Sequence, residues 1–275
     1  MTDENTTERL SDAEFDTFDV DVGGDAQRVA TIAISRPDAR NALNSQVRSE
    51  LKRAVPLAEA DDDVRVLVIT GDADGKAFVA GADITEFEDR DGLEQRRVSE
   101  RPRIYETIAD ASLPVIARVN GHALGGGCEL LQVCDVRIAH ERAKIGQPEI
   151  ALGLMPGGGG TQRLPRLVGT GQAMKLSLSG ELIDAEEASE IGLIEEVHGD
   201  ETFDDRVADL ARTIASKSPV ALEFTKQAIH ASANMPLESG IEYEAELFTR
   251  LFDTEDKREG IEAFLQGRDP KFDGR

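Results

Sequence analysis

The amino-acid sequence predicts an α/β fold that ends in a C-terminal helical region, and three observations support this prediction. Up to about residue 200, short runs rich in β-branched residues alternate with helical patterns and glycine-rich turns. From Thr202 onward the strand patterns stop, and apolar residues recur at helical spacing. A chain of 275 residues can also bury a large core without disulfides or a structural metal.

The first half of the chain is predicted to alternate strands with helices. One helix is indicated by apolar residues that recur on a single side, namely Leu43, Val47, Leu51, Val55 and Ala58. The segment RVLVIT at residues 65–70 is typical of a buried strand. In chain order we predict strands at 15–22 and 28–35 around a turn at 23–25, a helix at 44–60, a strand at 65–70, a loop at 71–82, a charged helical stretch at 83–109 and a strand at 114–119.

The second half of the chain is predicted to finish the α/β body and then become helical. Asp184 followed by Glu187 is a capping pattern that opens a short helix. In chain order we predict a glycine-rich turn, a short helix at 126–134, a strand at 135–139, the capped helix, a strand at 192–197 and helices beyond Thr202.

The charge of the chain excludes some classes of partner. Lys and Arg number 31 against 54 Asp and Glu, which gives a formal net charge of −23. Nucleic acid is a poor partner, because binding it requires a basic surface. We interpret the acidity as adaptation to a high-salt cytoplasm, where self-repulsion is screened within about 3 Å at 1 M salt. An ordinary acidic cytosolic protein is the alternative.

Targeting signals and metal sites are not predicted. Charged residues interrupt every apolar stretch before it reaches the roughly 20 residues that cross a bilayer. The acidic N-terminus carries no apolar segment typical of a signal peptide, so we expect a cytoplasmic protein. Residues 1–14 are predicted to be a disordered acidic leader. The four histidines lack ligand spacing, so no metal site is expected.

Two glycine runs are candidate anion sites. Gly125–Gly127 follows a predicted strand and precedes a predicted helix, where unpaired backbone N–H groups can hold an anion or a developing oxyanion. The spacing is not that of a dinucleotide-binding loop. The run at residues 157–160 is either a second anion loop or a flexible helix start, and taken alone it favours the helix start.

Two glutamates lie beside these runs. Glu129 falls in the first turn of the helix that follows Gly127, and Glu149 lies in a loop twenty residues later. Singly, a glutamate at a helix start is usually a favourable charge–dipole pairing. Together, two carboxyl groups beside an oxyanion loop suggest that one deprotonates water while the other donates a proton.

Four segments together resemble the crotonase (enoyl-CoA hydratase/isomerase) superfamily. They are RPDARNALN at 36–44, AFVAGADITEF at 77–87, NGHALGGGCELLQVCDVRIA at 120–139 and IGQPEIALGLMPGGGGTQRLPRLVG at 145–169. The resemblance implies a spiral of β-β-α units over residues 15–200 and a C-terminal helical oligomerisation region over 201–275. Because both glutamates are present, the chain is most similar to the hydratase branch of the superfamily. Enzymes of this branch add water reversibly to trans-2-enoyl-CoA and give 3-hydroxyacyl-CoA.

The resemblance also implies roles for individual residues. The backbone N–H groups of Ala82 and Gly126 match an oxyanion hole for the thioester carbonyl. Glu129 matches the base toward water, and Glu149 matches the acid that protonates C2.

Binding of the CoA part is implied for a further set of residues. Ala80, Asp83, Ile84 and Gln147 match the wall around the adenine and pantetheine. Arg40 is compatible with a CoA phosphate contact or with a solvated arginine, and Lys226 is a weaker candidate of the same kind. His122 stands where relatives often have tyrosine and is favoured as a structural histidine.

The resemblance further implies an acyl-CoA substrate, no separate cofactor, and a homotrimer or a homohexamer built as a dimer of trimers. The alternatives are another reaction of the same fold, either enoyl-CoA isomerisation or acyl-CoA hydrolysis, and a non-catalytic RNA-binding or scaffold role. The intact pair of glutamates and the lack of a basic patch argue against the last.

Overall fold

The computed structural model describes residues 8–23 and 28–275. The predicted turn at 23–25 falls largely outside these residues. The strands are β1 (Phe18–Val22), β2 (Val29–Ile34), β3 (Val66–Gly71), β4 (Ala77–Val79), β5 (Val115–Val119), β6 (His122–Leu124), β7 (Val136–His140), β8 (Lys144–Gly146), β9 (Leu182–Asp184) and β10 (Glu196–His198). The helices are α1 (Ser45–Ala60), α2 (Gly92–Val98), α3 (Ile104–Ala109), α4 (Gly126–Leu131), α5 (Gly160–Ser179), α6 (Ala185–Glu190), α7 (Phe203–Ala215), α8 (Pro219–Ala231), α9 (Leu237–Leu251) and α10 (Glu255–Gln266).

The strands form two sheets, and from β3 to β8 successive strands belong alternately to the first and to the second sheet. The first sheet has the order β1-β2-β3-β5-β7-β10, and the second has the order β4-β6-β8-β9. The β1–β2 and β8–β9 pairs are antiparallel, and the other pairs are parallel. Each of the pairs β3/β4, β5/β6 and β7/β8 sends one strand to each sheet before the chain turns helical. This confirms the predicted α/β spiral of β-β-α units with a C-terminal helical region.

Burial explains why the first sheet lies at the centre. All six residues of β3 are buried. Leu67 and Ile69 face the main core, while Val66 and Val68 face a second cluster formed with α7. The helix predicted at 44–60 is confirmed as α1, and the Asn44 side chain accepts a hydrogen bond from Val47 N–H at 2.9 Å.

The sequence analysis was wrong about several loops. The predicted loop at 71–82 contains β4, and the turn before α4 contains β6. The predicted helical stretch at 83–109 is a 3-10 helix (Ile84–Phe87) followed by the separate helices α2 and α3. Pro102 lies between α2 and α3, where it lacks an N–H and disfavours helical backbone in the residue before it.

The predicted disordered leader is only partly tested. Residues 1–7 lie outside the described part of the chain. The prediction is wrong for Leu10–Asp12, which form a short 3-10 helix. Leu10 is fully buried in the main core, because it is the apolar residue through which this segment packs on the body.

The C-terminal helices differ in how well they are covered. α7 packs on the first sheet through Phe203, Val207, Ala211 and Ala215. The three helices after it leave large apolar side chains exposed, among them Ile241, Phe248, Phe252, Ile261, Phe264 and Leu265. No helix in the described residues is long and apolar enough to cross a membrane.

Candidate active site

A cavity of about 680 Å³ lies where the loops after β4, β6 and β8 meet α3. Its wall contains backbone of the two glycine runs, both glutamates and many apolar side chains. The lining residues include Arg48, Ala80, Ala82, Ile84, Arg90, Arg103, Tyr105, Gly126, Glu129, Glu149 and Gly158. The cavity therefore brings together four segments that are far apart in the sequence.

Ala82 and Gly126, whose backbone N–H groups are the predicted oxyanion site, both lie in this wall. Around Ala82 the chain runs beside Leu43, whose N–H donates to Gly81 O at 2.8 Å and whose carbonyl accepts from Asp83 N–H at 2.9 Å. Gly126 is the first residue of α4, where helical N–H groups have no partner within the helix. Neither the Ala82 nor the Gly126 N–H donates to any group in the described residues.

The glycines before α4 allow this close arrangement. Gly125 has a φ of 49°, in the left-handed region that favours glycine. A Cβ on Gly126 would lie 3.4 Å from the Ala82 nitrogen and 3.1 Å from the Tyr105 hydroxyl. Residues 82 and 126 therefore lie side by side, and a side chain at residue 126 would occupy space beside the Ala82 nitrogen and the Tyr105 hydroxyl.

Glu129 is held by the second glycine run. Its side chain lies on α4, and the residue is only 3% exposed. Its Oε1 accepts from Gly158 N–H at 2.6 Å and from Gly160 N–H at 2.8 Å. Burial raises the pKa of Glu129, and these two hydrogen bonds oppose that rise. The run at 157–160 is therefore both a helix start and an anion loop, and its anion is a carboxylate of the same chain.

Two arginines hold the glycine run in place, and the sequence analysis did not identify them. Arg103 donates from Nη1 to Gly157 O at 2.6 Å and also pairs with Glu106. Arg163 donates from Nη1 to Gly158 O at 3.1 Å. These contacts fix the carbonyls of the run, so that its N–H groups remain directed at Glu129.

Glu149 lies across the cavity in a less polar setting. Burial raises its pKa to about 7, and the nearby negative charge of Glu129 adds to the rise. The fully buried Gln147 amide lies beside it. With its NH₂ group toward the carboxylate, Gln147 donates to Glu149 Oε1 at 2.9 Å and its oxygen accepts from Gln132 Nε2 at 3.0 Å. Gln147 therefore contacts Glu149 from outside the cavity wall, and its donated N–H opposes the rise in the pKa of Glu149.

The other predicted binding residues are found in different places. Ala80 and Ile84 line the cavity. Asp83 does not line it, because its carboxylate pairs with Arg36 at 2.9 Å and caps the 3-10 helix. Arg40 is exposed, and its carbonyl accepts from Ala80 N–H at 3.2 Å, which places it beside the cavity mouth. Burial, together with the positive charge of Arg40, lowers the pKa of His122.

Lys226, predicted as a weaker candidate for a CoA phosphate contact, is paired within the chain and does not line the cavity. Its side chain is 8% exposed, and Nζ lies 2.8 Å from Asp135 Oδ2. Nζ also donates to Leu113 O at 2.9 Å. Lys226 therefore anchors α8 to the α/β body, a role that depends on a contact between distant segments.

Tyr105 is a further cavity residue that the sequence analysis missed. It lies on α3, and its hydroxyl is 3.4 Å from Gly126 O. Burial raises the pKa of Tyr105, and the charge of Glu129 raises it further. It falls in the charged helical stretch predicted at 83–109, and nothing in that pattern indicates contact with Gly126. In the described residues no group of three His, Cys, Asp or Glu side chains is arranged to hold a metal ion.

Comparison with known proteins shows the family to which the chain is similar. The model of the enoyl-CoA hydratase/isomerase family matches residues 24–275. The 2,3-dehydroadipyl-CoA hydratase of Escherichia coli is 45% identical over 249 residues, which cover 90% of this chain and 96% of that protein. The crotonyl-CoA hydratase of Syntrophomonas wolfei is 42% identical over 247 residues, which cover 90% and 95%.

A solved structure shows the same fold. It is an enoyl-CoA hydratase subunit from Geobacillus kaustophilus, with a TM-score of 0.89 and 37% sequence identity. The match covers 96% of this chain and 100% of that one. The similarity therefore spans both the α/β body and the C-terminal helices.

Proposed function

The chain belongs to the enoyl-CoA hydratase/isomerase family and has enoyl-CoA hydratase activity, and we propose that Glu129 and Glu149 carry out the reaction. The reaction adds water reversibly to a trans-2-enoyl-CoA and gives a 3-hydroxyacyl-CoA. The observation that carries the proposal is that one cavity brings together the buried Glu129 carboxyl group, the half-buried Glu149 carboxyl group and two backbone N–H groups that have no partner in the described residues.

The N–H groups of Ala82 and Gly126 are proposed to bind the thioester oxygen. Negative charge develops on this oxygen when water attacks C3, and preorganised donors stabilise that charge more than they stabilise the ground state. The N-terminus of α4 lies behind Gly126 and adds a favourable dipole. This site activates the conjugated double bond toward water.

The two carboxyl groups are proposed to divide the proton transfers. Glu129 takes a proton from water as the water oxygen bonds to C3, and Glu149 gives its proton to C2. After the addition, the two glutamates together hold the same number of protons as before, but the proton is on Glu129. Proton exchange with solvent then restores ionised Glu129 and protonated Glu149. Two backbone N–H groups stabilise ionised Glu129, whereas the pKa of about 7 allows Glu149 to keep a proton near neutral pH.

The CoA part is proposed to enter along Ala80 and Ile84, which lie beside the thioester site. Arg40 is proposed to meet a phosphate at the mouth, where it is exposed beside Ala80. No separate cofactor is required, because the carboxyl groups and backbone donors supply each step. We further propose that the enzyme acts in the cytoplasm of a halophile as a homotrimer or homohexamer, in which the exposed apolar faces of the last three helices are covered.

The acyl chain is left open by the relatives, whose names range from crotonyl-CoA to 2,3-dehydroadipyl-CoA. A panel of trans-2-enoyl-CoA substrates of increasing chain length, assayed at molar salt, tests the proposal. Hydration removes the conjugated thioester absorbance, and in water enriched in the heavy oxygen isotope it places that isotope on C3. A shifted double bond with no added water, or released free CoA, would instead indicate an isomerase or a hydrolase.

A further inference from the structure

The cavity wall carries two partly buried guanidinium groups that the proposed hydration does not use. Arg48 lies on α1, and Arg90 lies just before α2. Their side chains are 19% and 14% exposed. Much of the wall is apolar, as shown by Phe87, Val98, Ile104, Leu152, Leu154 and Met155. Cations in such a wall are costly unless anions match them.

A single carboxylate serves both guanidinium groups. Glu86 Oε2 lies 3.1 Å from Arg48 Nη1 and 3.4 Å from Arg90 Nη2, while Oε1 accepts from Ser45 N–H at 2.6 Å. Burial alone would raise the pKa of Glu86, but the Ser45 hydrogen bond and the arginine charges outweigh it, and the pKa is lowered.

The cluster of Arg48, Arg90 and Glu86 therefore has a formal charge of +1, and the nearby Asp91 carboxylate on the same wall accepts from the Leu93 and Glu94 N–H groups at the start of α2. Within residues 8–23 and 28–275, Glu86 is the carboxylate that pairs with either arginine. The remaining side-chain partner of Arg90 is the neutral amide of Gln95, at 3.0 Å. Each guanidinium has five N–H donors, so donors remain for a further anion.

Tyr105 connects this cluster to the reacting centre. Its hydroxyl lies 3.4 Å from Gly126 O, beside the proposed thioester site. Arg48 on α1 and Arg90 before α2 line the same cavity as Tyr105 and Gly126. An acyl chain that extends from the thioester along this wall therefore approaches Arg48.

We propose that Arg48 and Arg90 bind a carboxylate at the far end of the acyl chain, so that the preferred substrates are enoyl-CoA thioesters of dicarboxylic acids. This inference rests on the proposed hydratase function and adds the class of acyl chain. A guanidinium fits a carboxylate through paired N–H donors, and the low polarity of the wall strengthens that contact. A phosphate of CoA is the other anion that the substrate carries.

The test compares two substrates of equal carbon number. One is 2,3-dehydroadipyl-CoA, which ends in a carboxylate, and the other is trans-2-hexenoyl-CoA, which ends in a methyl group. The enzymes are the wild type, Arg48→Gln and Arg90→Gln, with Arg96→Gln as the matched control, because Arg96 is exposed on α2 outside the cavity wall. Each of the two single substitutions, Arg48→Gln and Arg90→Gln, leaves the other arginine paired with Glu86.

The wild type is expected to prefer the dicarboxylic substrate. Each single substitution should lower kcat/KM for that substrate by about 10- to 100-fold, the effect of losing a charge-assisted contact. The value for hexenoyl-CoA should stay nearly unchanged, and Arg96→Gln should alter neither. Equal losses of kcat/KM on both substrates would overturn the proposal, because they would indicate a contact with a CoA phosphate or damage to the fold. A wild-type enzyme that shows no preference between the two substrates would also overturn it.

Binding of saturated analogues separates this inference from the proposed function. Calorimetry with adipyl-CoA and hexanoyl-CoA needs no reaction, and tighter binding of adipyl-CoA that is lost in Arg48→Gln supports the arginine site. Equal binding of both contradicts it. Absence of hydration with either enoyl-CoA contradicts the proposed function, whereas hydration without preference contradicts only the inference.

Discussion

Glu129 and Glu149 lie in the same cavity but differ in how their charge is stabilised. Glu129 accepts two backbone N–H bonds from the glycine run, and Glu149 has a pKa raised to about 7 by burial and by Glu129. The motif around each glutamate was enough to predict that both belong to the site. The source of the difference was not predictable, because it comes from Gly158 and Gly160, about 30 residues away along the chain.

The pH dependence of kcat/KM follows from this difference. Hydration requires a proton on Glu149, so kcat/KM should be steady near pH 6 and should fall about tenfold per unit above pH 7. The reverse reaction also needs one proton on the pair, so it should show the same upper limb. Initial rates in both directions measure this. Glu149→Gln should abolish the limb, and a wild-type rate that is flat up to pH 9 would contradict the assignment of Glu149 as the acid.

At the scale of secondary structure, the longer elements were predictable and the short ones were not. The patterns of α1 and β3 extend over six residues or more, and each matches the burial found. The second sheet is built from strands of three residues that lie inside glycine-containing loops. A strand of three residues is too short to show an alternating pattern of apolar and polar residues. The region predicted as one long helical stretch after Asp83 is divided by Pro102 and by local helix caps. Neither is indicated by the spacing of apolar residues.

The contact between α8 and the body predicts the effect of Lys226→Met. Removal of the ammonium group leaves the Asp135 carboxylate with the Val115 N–H at 2.7 Å and with His230 at 3.2 Å. The free energy of unfolding should fall by about 2–3 kcal/mol, because one partner of a largely buried pair is lost. Denaturant unfolding measures the loss. Lys217→Met, at an exposed lysine, should change stability little. A raised KM for acyl-CoA with unchanged stability would restore Lys226 as a phosphate ligand.

The exposed apolar face of α10 predicts the effect of Phe264→Glu. Phe264 is 84% exposed, and its neighbour Leu265 is 78% exposed. If a partner subunit covers this face, a buried glutamate there should shift the assembly toward monomers. Light scattering at molar salt measures the mass, and Gln266→Glu adds the same charge as a control. A wild type that is a fully active monomer would show that the helical region is not an interface.

At the scale of the whole molecule, the net charge of −23 governs behaviour that no single contact explains. Mutual repulsion among surface carboxylates opposes the compact state, and salt screens it. The Tm should therefore rise as KCl increases from about 0.1 to about 3 M. Thermal unfolding followed by circular dichroism measures this, and a Tm that stays level or falls would remove the high-salt interpretation.

Hydration by glutamine variants tests the central claim, that both carboxyl groups act in the addition of water, most directly. Glu129→Gln, Glu149→Gln and the double variant keep side-chain size but lose proton transfer, and Glu186→Gln at an exposed glutamate is the control. Each single variant should fold, bind acyl-CoA and lose about 10²- to 10⁴-fold in kcat. Because both groups act on one addition step, the double variant should be little slower than the slower single one. Hydration near the wild-type rate by either folded single variant would contradict the account.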